Sequence, residues 1–124
     1  MRNMGLRQIG IAGEDKACRF LRWHGYHILE RNYRSPFGEL DIIASRGKWL
    51  VFCEVKARSS GERDMALAAV DGTRQQRMAR AASHYLSAKG NNEKDCRFDV
   101  IALLKDGAKW RIEHVKDAFE VSQS

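Results

Sequence analysis

Several classes of protein are excluded by what this chain lacks. Among its 124 residues are one proline and three cysteines. No Gly/Ser/Pro-rich linker and no internal repeat interrupts it, so a single domain spanning 1–124 is expected. Cys18, Cys53 and Cys96 are odd in number, widely spaced and form no CxxC pair. That pattern supports neither a disulfide framework nor a structural zinc site, and predicts reduced, mostly buried thiols. No run approaches the roughly 20 apolar residues that span a bilayer, and the polar start has no signal-peptide pattern. A cytoplasmic protein with no membrane partner is expected.

What is present is ordinary in proportion and uneven in sign. Hydrophobic residues make up 44% and charged residues 31%, as in a soluble globular chain. Lys and Arg total 22 against 16 Asp and Glu, a net charge of +6. A basic surface suits an anionic partner, nucleic acid being the commonest, although charge alone is weak support.

From about Ile9 to Trp23, Ala17, Cys18, Phe20 and Leu21 recur at helical spacing, and His24-Gly25 suits the end of the helix. Glu14 falls on the same stripe as Ala17, Cys18 and Leu21. A favourable dipole position in a first turn and an inward functional carboxylate explain it equally well. Tyr26–Arg34 alternates like a strand, and Ser35-Pro36-Phe37-Gly38 is the turn after it. Leu40–Ala44 and Trp49–Lys56 are the next strands, the latter the most central.

These two strands read as a hairpin carrying Glu39, Asp41, Glu54 and Lys56 among apolar residues. With Arg46-Gly47 as a two-residue turn, Asp41 faces Phe52 and Glu39 faces Glu54. Strand alternation then puts Glu39, Asp41 and Ile43 on one face, and Leu50, Phe52, Glu54 and Lys56 on the partner's. Like charges held opposite one another need a cation between them. Lys56 supplies part of it, and a divalent metal ion bridging to a phosphate would supply the rest.

Beyond Lys56, Ala57–Arg63 reads as a mobile surface loop and Met65–Val70 as a short helical turn. A helix is predicted from about Thr73 to Lys89, with Met78, Ala81, Ala82, Tyr85 and Leu86 inward and Gly90 just past its end. Gln75 lies on that stripe. Arg74, Arg77 and Arg80 are expected to lean outward as a basic ridge, either a solvated face or a contact for phosphate backbone. Cys96–Leu104 and Lys109–Val115 are the last strands, joined at Asp106-Gly107. Asp99 reads either as a further acidic ligand or as a buried acid paired with an arginine. His84 and His114, without ligand spacing, read as structural or exposed.

The order of a helix with Glu14, a strand with Asp41, a strand with Glu54-Val55-Lys56 and a helix with Gln75 resembles the PD-(D/E)xK nuclease superfamily, and within it the archaeal Holliday-junction resolvases. More closely, the chain resembles the bacterial YraN-like family of largely unassigned function. The segments that carry this are Gly13-Glu14-Asp15, Gly25–Arg34, Gly38–Ala44, Phe52–Lys56, Arg97–Val100 and Ala118-Phe119. Leu40 stands where the motif's name expects Pro, and Ala57 where many relatives carry Thr.

The resemblance implies an α/β fold with a restriction-endonuclease-like core, a mixed β-sheet flanked by α-helices, forming a single nuclease-like domain. It implies Mg²⁺ or Mn²⁺ held by Asp41, Glu54, the Val55 carbonyl and Glu14. Lys56 would position the attacking water or stabilise the phosphate, Gln75 would order the site, and Glu39 would be an outer carboxylate. Arg58, Arg74, Arg77 and Arg80 are the expected nucleic-acid contacts. The partner would be DNA, branched DNA included, and a homodimer would suit the two-fold symmetry of a junction. A catalytically silent nuclease-fold module that binds DNA or protein, and a plain structural ion-pair cluster, are the competing expectations.

Overall fold

The computed structural model describes residues 6–59, 71–90 and 94–120. The apolar run Leu50-Val51-Phe52-Cys53 is buried throughout, as a strand covered on both faces requires. It lies in the middle of a five-stranded sheet. The elements in chain order are α1 (Leu6–Trp23), β1 (His27–Ser35), β2 (Gly38–Arg46), β3 (Trp49–Ser59), α2 (Gly72–Lys89), β4 (Asp95–Asp106) and β5 (Lys109–Val115). The strands lie side by side in sequence order. All neighbours are antiparallel except β3 and β4, which run parallel across the connection that contains α2.

Among the described residues one helix covers each face of this mixed sheet, the α/β arrangement expected. Ala17, Cys18 and Leu21 of α1 pack on Ile42, Ala44, Val51, Cys53, Ile101 and Leu103. Met78, Ala81, Ala82 and Tyr85 of α2 pack on Leu40, Ile43, Leu50, Phe52 and Val100. Asp71 caps the start of α2, accepting the Arg74 N–H at 3.0 Å. Gly90 ends the helix with a φ of +72° and donates its N–H to Leu86. Cys18 and Cys53 are buried, Cys96 is exposed, and none forms a disulfide. No helix among the described residues is long and apolar enough to cross a membrane.

Two hairpins turn one residue later than expected. Arg46 pairs with Trp49 and Asp106 with Lys109, so the turns are Gly47-Lys48 and Gly107-Ala108. Each glycine has a positive φ, +55° and +61°, at the first central position, where primed hairpin turns demand one. Arg46 therefore stays in β2, its guanidinium 5.4 Å from the centre of the Tyr26 ring. The β2–β3 register shifts accordingly, and Ile43 rather than Asp41 lies opposite Phe52. Strand β3 also continues through Ala57 and Arg58 to Ser59, because β4 runs beside it as a ladder partner. The rest of the expected loop, Ser60–Arg63, and the helical turn at Met65–Val70 lie outside the described residues.

At the β1–β2 tip, Ser35 pairs with Gly38 across Pro36-Phe37, as expected. A Cβ on Gly38 would lie 2.2 Å from the Arg77 carbonyl oxygen. Only glycine lets the start of β2 approach α2 so closely.

Asp99 is fully buried and fully paired. It accepts Arg97 Nε at 2.8 Å and Nη2 at 2.9 Å, and the Asp117 N–H at 2.9 Å. His114 Nε2 lies 2.6 Å from its other side. Burial alone would raise its pKa, but His114, Arg97 and the Asp117 N–H together lower it. Arg97 also donates to the Tyr26 hydroxyl at 2.8 Å and lies over Trp49 at 5.2 Å. Of the two readings of Asp99, the acid paired with an arginine is the one realised. His114 is structural, and His84 packs at the protein surface against the Tyr33 hydroxyl at 2.6 Å.

Replacing Gly38 by Ala should destabilise the fold by about 1–3 kcal/mol, as overpacking does, read as a lowered denaturant midpoint with unchanged slope. Asp99→Ala strands the buried Arg97 charge and should cost roughly 3–5 kcal/mol in the same measurement.

Candidate active site

Pairing between β2 and β3 ends at Ile42 and Cys53. The next N–H on β3 facing β2, that of Val55, is taken by a side chain: it donates to Asp41 Oδ2 at 2.8 Å. Leu40 and Ile43 belong to the same core layer, while Ile42 and Ala44 belong to the other. Strict alternation is therefore broken around Asp41, and the expected common face of Glu39, Asp41 and Ile43 is not formed. The break falls where the β1–β2 register passes over Asn32 and Asp41, Asn32 having a left-handed backbone, and there the Asp41 carboxylate takes the place of a backbone carbonyl as the acceptor for Val55.

Beside Asp41, Glu54 points from β3 toward α2 and is 2% exposed. Its Oε2 accepts Nε of Arg74 at 3.1 Å and Nη2 at 2.5 Å, and Lys56 Nζ lies 3.1 Å from Oε1. Arg74 also reaches Glu39, 3.7 Å away. The expected outward ridge is thus corrected at its first member. Steps of three fall short of a full helical turn, so the three arginines drift around the helix, and Arg74 turns in to the buried charge. Arg77 and Arg80 are exposed.

From the opposite layer, α1 brings Glu14. Its Oε1 is the one buried side-chain oxygen or nitrogen among the described residues with no hydrogen-bond partner. Burial raises the Glu14 pKa against the opposing pull of Arg31 and of a hydrogen bond from Asn32, with Asp15 and Glu54 adding to the rise. Asn32 takes a left-handed φ of +53°, which asparagine tolerates better than most residues. Gln75 lies half-buried in the first turn of α2, its N–H donated to the Asp71 carbonyl. Arg58 is half-buried in β3, with Nη1 donating to its neighbour's carbonyl, that of Ala57, at 2.9 Å.

The electrostatics show a shortage of positive charge. Asp41 is pushed up to about 7, first by burial and then by the negative charge of Glu54; the Val55 N–H and Arg74 oppose this, and Glu14 adds to it. Both nearby cations, Arg74 and Lys56, serve Glu54. Carboxylate oxygens, one of them without a partner, fit a hard divalent cation in donor chemistry. The same oxygens are not gathered into a ready cage: among the described residues no group of three or more His, Cys, Asp or Glu is placed to hold a metal ion. Arg74 fills one side of Glu54.

Two participants were missed in the sequence, Arg74 as the partner of Glu54 and Asn32 beside Glu14. The first left a signal, since a buried carboxylate on β3 demanded a cation and Arg74 stands next to Gln75, the helical residue already singled out. The second left none, because it depends on the left-handed backbone of Asn32, which no local pattern announces.

A family model described as uncharacterised protein family UPF0102 matches residues 13–103. A UPF0102 protein of Magnetococcus marinus is 41% identical over 116 residues, covering 93% of this chain and 94% of its own. One from Moorella thermoacetica is 42% identical over 118 residues, 94% of this chain and 98% of its own. Another, from Chlorobium phaeobacteroides, is 44% identical over 117 residues, with 90% and 93% covered. These names state no activity.

The raised Asp41 pKa sets a pH dependence. Between the ordinary aspartate value of 3.8 and about 7, the folded chain keeps a proton that the unfolded chain has released, so this group's contribution to stability falls as pH rises through that window. Asp41→Asn removes the effect. Between pH 4 and pH 7.5 the variant should lose roughly 3 kcal/mol less than the wild type, measured by denaturant unfolding at both values. Identical pH dependence in the two proteins would contradict the buried carboxyl.

Proposed function

This chain belongs to the uncharacterised protein family UPF0102, and on that premise we propose that it is a Mg²⁺- or Mn²⁺-dependent endonuclease that hydrolyses phosphodiesters of DNA, branched DNA among them. The observation that carries this reading is the meeting of Asp41, Glu54 and Lys56 where the β2–β3 ladder ends. Asp41, Glu54 and the Val55 carbonyl would hold the ion, with Glu14 as a further oxygen donor. The bound ion supplies neutralising charge at a phosphate and lowers the pKa of water.

The chain's own residues do the rest. Lys56 Nζ, 3.1 Å from Glu54, puts a positive charge where negative charge develops as the phosphate is attacked. Asp41, held by the Val55 N–H, has a fixed orientation before substrate arrives. Gln75 orders the site from α2. Arg58, Arg77 and Arg80 hold phosphates along the strand through sequence-independent contacts.

A second reading draws on Arg74. Its guanidinium compensates Glu54 without any metal, which suits a catalytically silent nuclease-fold module that binds DNA or a protein partner.

Incubating linear, single-stranded and four-way-junction DNA with the protein and either metal should give cleavage. Asp41→Ala and Glu54→Ala should each reduce it by roughly 100-fold or more. Cleavage that survives both substitutions would place the chemistry elsewhere, and salt-sensitive binding without turnover would favour the second reading. Calorimetric titration with Mn²⁺ should show binding to the wild type that Asp41→Ala loses. Heat without saturation in both would leave only a structural ion-pair cluster.

A further inference from the structure

Phe37 is 60% exposed at the tip of the β1–β2 hairpin, and the tip is built to keep it there. Pro36 restricts the backbone just before it. The Ser35 hydroxyl accepts the Phe37 and Gly38 N–H groups, both at 3.1 Å, and donates to the Gly38 carbonyl at 3.0 Å. Gly38 is pressed against the Arg77 carbonyl, with no room for a side chain. A large apolar ring in water is ordinary when it stands alone. Here the backbone that carries it is braced by a serine-bonded turn and a close contact with α2.

The ring borders a cavity of about 330 Å³ whose walls include Arg34, Arg77 and Glu39. Arg34 is 82% exposed along its side chain, and Arg77 is exposed. The Glu39 charge is countered from two sides, by Arg34 at 4.0 Å and Arg74 at 3.7 Å, so the cavity keeps a cationic character. Its wall residue Glu39 is linked to Glu54 through Arg74, which pairs with both acids. An aromatic side chain presented on a braced turn and flanked by guanidinium groups is the chemistry that binds single strands, because every base offers a π-face and every nucleotide a phosphate.

We infer that this cavity receives an unpaired nucleotide of a DNA strand, its base stacked on Phe37 and its phosphates beside Arg34 and Arg77. The inference rests on the DNA-cleaving reading for the class of ligand and adds how that site selects its substrate. Inside a duplex both faces of a base are covered by its neighbours, so stacking on Phe37 favours the unpaired nucleotides of flaps, gaps and junctions. Such a nucleotide would lead its strand toward Asp41 and Glu54.

Fluorescence anisotropy in EDTA tests this, using labelled oligo(dT) and a long blunt duplex as probes. Phe37→Ala should weaken oligo(dT) binding about tenfold, within the range for losing one base stack, and leave duplex binding within about twofold. Phe37→Trp should keep wild-type affinity for oligo(dT). Arg34→Ala and Arg77→Ala should weaken both probes and each lower the salt slope by about 1. Wild-type affinity of Phe37→Ala for oligo(dT), equal losses on both probes, or failure of Phe37→Trp would each overturn the inference and leave the cleavage reading standing. A wild-type protein that does not bind oligo(dT) would overturn the inference, whereas the cleavage reading is decided separately by the metal-dependent assay on linear and junction DNA.

Discussion

Where a ladder stops in the middle of a sheet, the next inward N–H still needs an acceptor, because a buried amide left alone costs about as much as a lost hydrogen bond. Here the donor is Val55 and the acceptor is the carboxylate of Asp41. Much of the site follows from that one bond. It holds an acid in a dry setting beside Glu54, so the two negative charges are felt strongly and one of them is displaced toward the neutral form. It also draws Arg74 inward, since Glu54 cannot remain charged and buried without a partner.

The chain contains a useful contrast to this arrangement. Asp99 is as deeply buried as any acid in the structure, yet it is surrounded by Arg97, His114 and a backbone N–H and stays readily ionised. It is a closed network with nothing left to bind, and it ties β4, β5 and the segment after β5 together. Asp41 and Glu14 are the opposite case, acids whose environment leaves positive charge in short supply. Burial alone does not distinguish a structural carboxylate from a reactive one; completeness of pairing does.

Much of the fold was legible because it rests on periodicity. The stripes of α1 and α2 and the apolar core of β3 repeat at the intervals that helices and strands impose. The turn at Ser35–Gly38 was legible too, since Pro and Gly occupy its defining positions. The register of β2 against β3 was not, because Arg46-Gly47 and Gly47-Lys48 are both acceptable two-residue loops on paper, and only the pairing of Arg46 with Trp49 in the folded sheet selects the second. Of the candidate site, residue types and their order along the chain could be read directly. Orientation could not, because Arg74 and Arg77 look alike in a helical pattern and differ only in whether a buried acid lies within reach.

The parallel pairing of β3 with β4 joins Trp49 to Asp95 across the whole of α2, whereas β1, β2 and β3 meet through tight turns. Contacts between distant parts of a chain form late, since the closure entropy of the intervening loop must be overcome first. Asp41 and Glu54 are therefore brought together by a local hairpin, whereas Arg74 reaches Glu54 only through the packing of α2 on the sheet. The charge balance of Glu54 therefore depends on the same non-local connection that closes the sheet, so the hairpin alone holds two carboxylates and the full fold is what supplies their guanidinium.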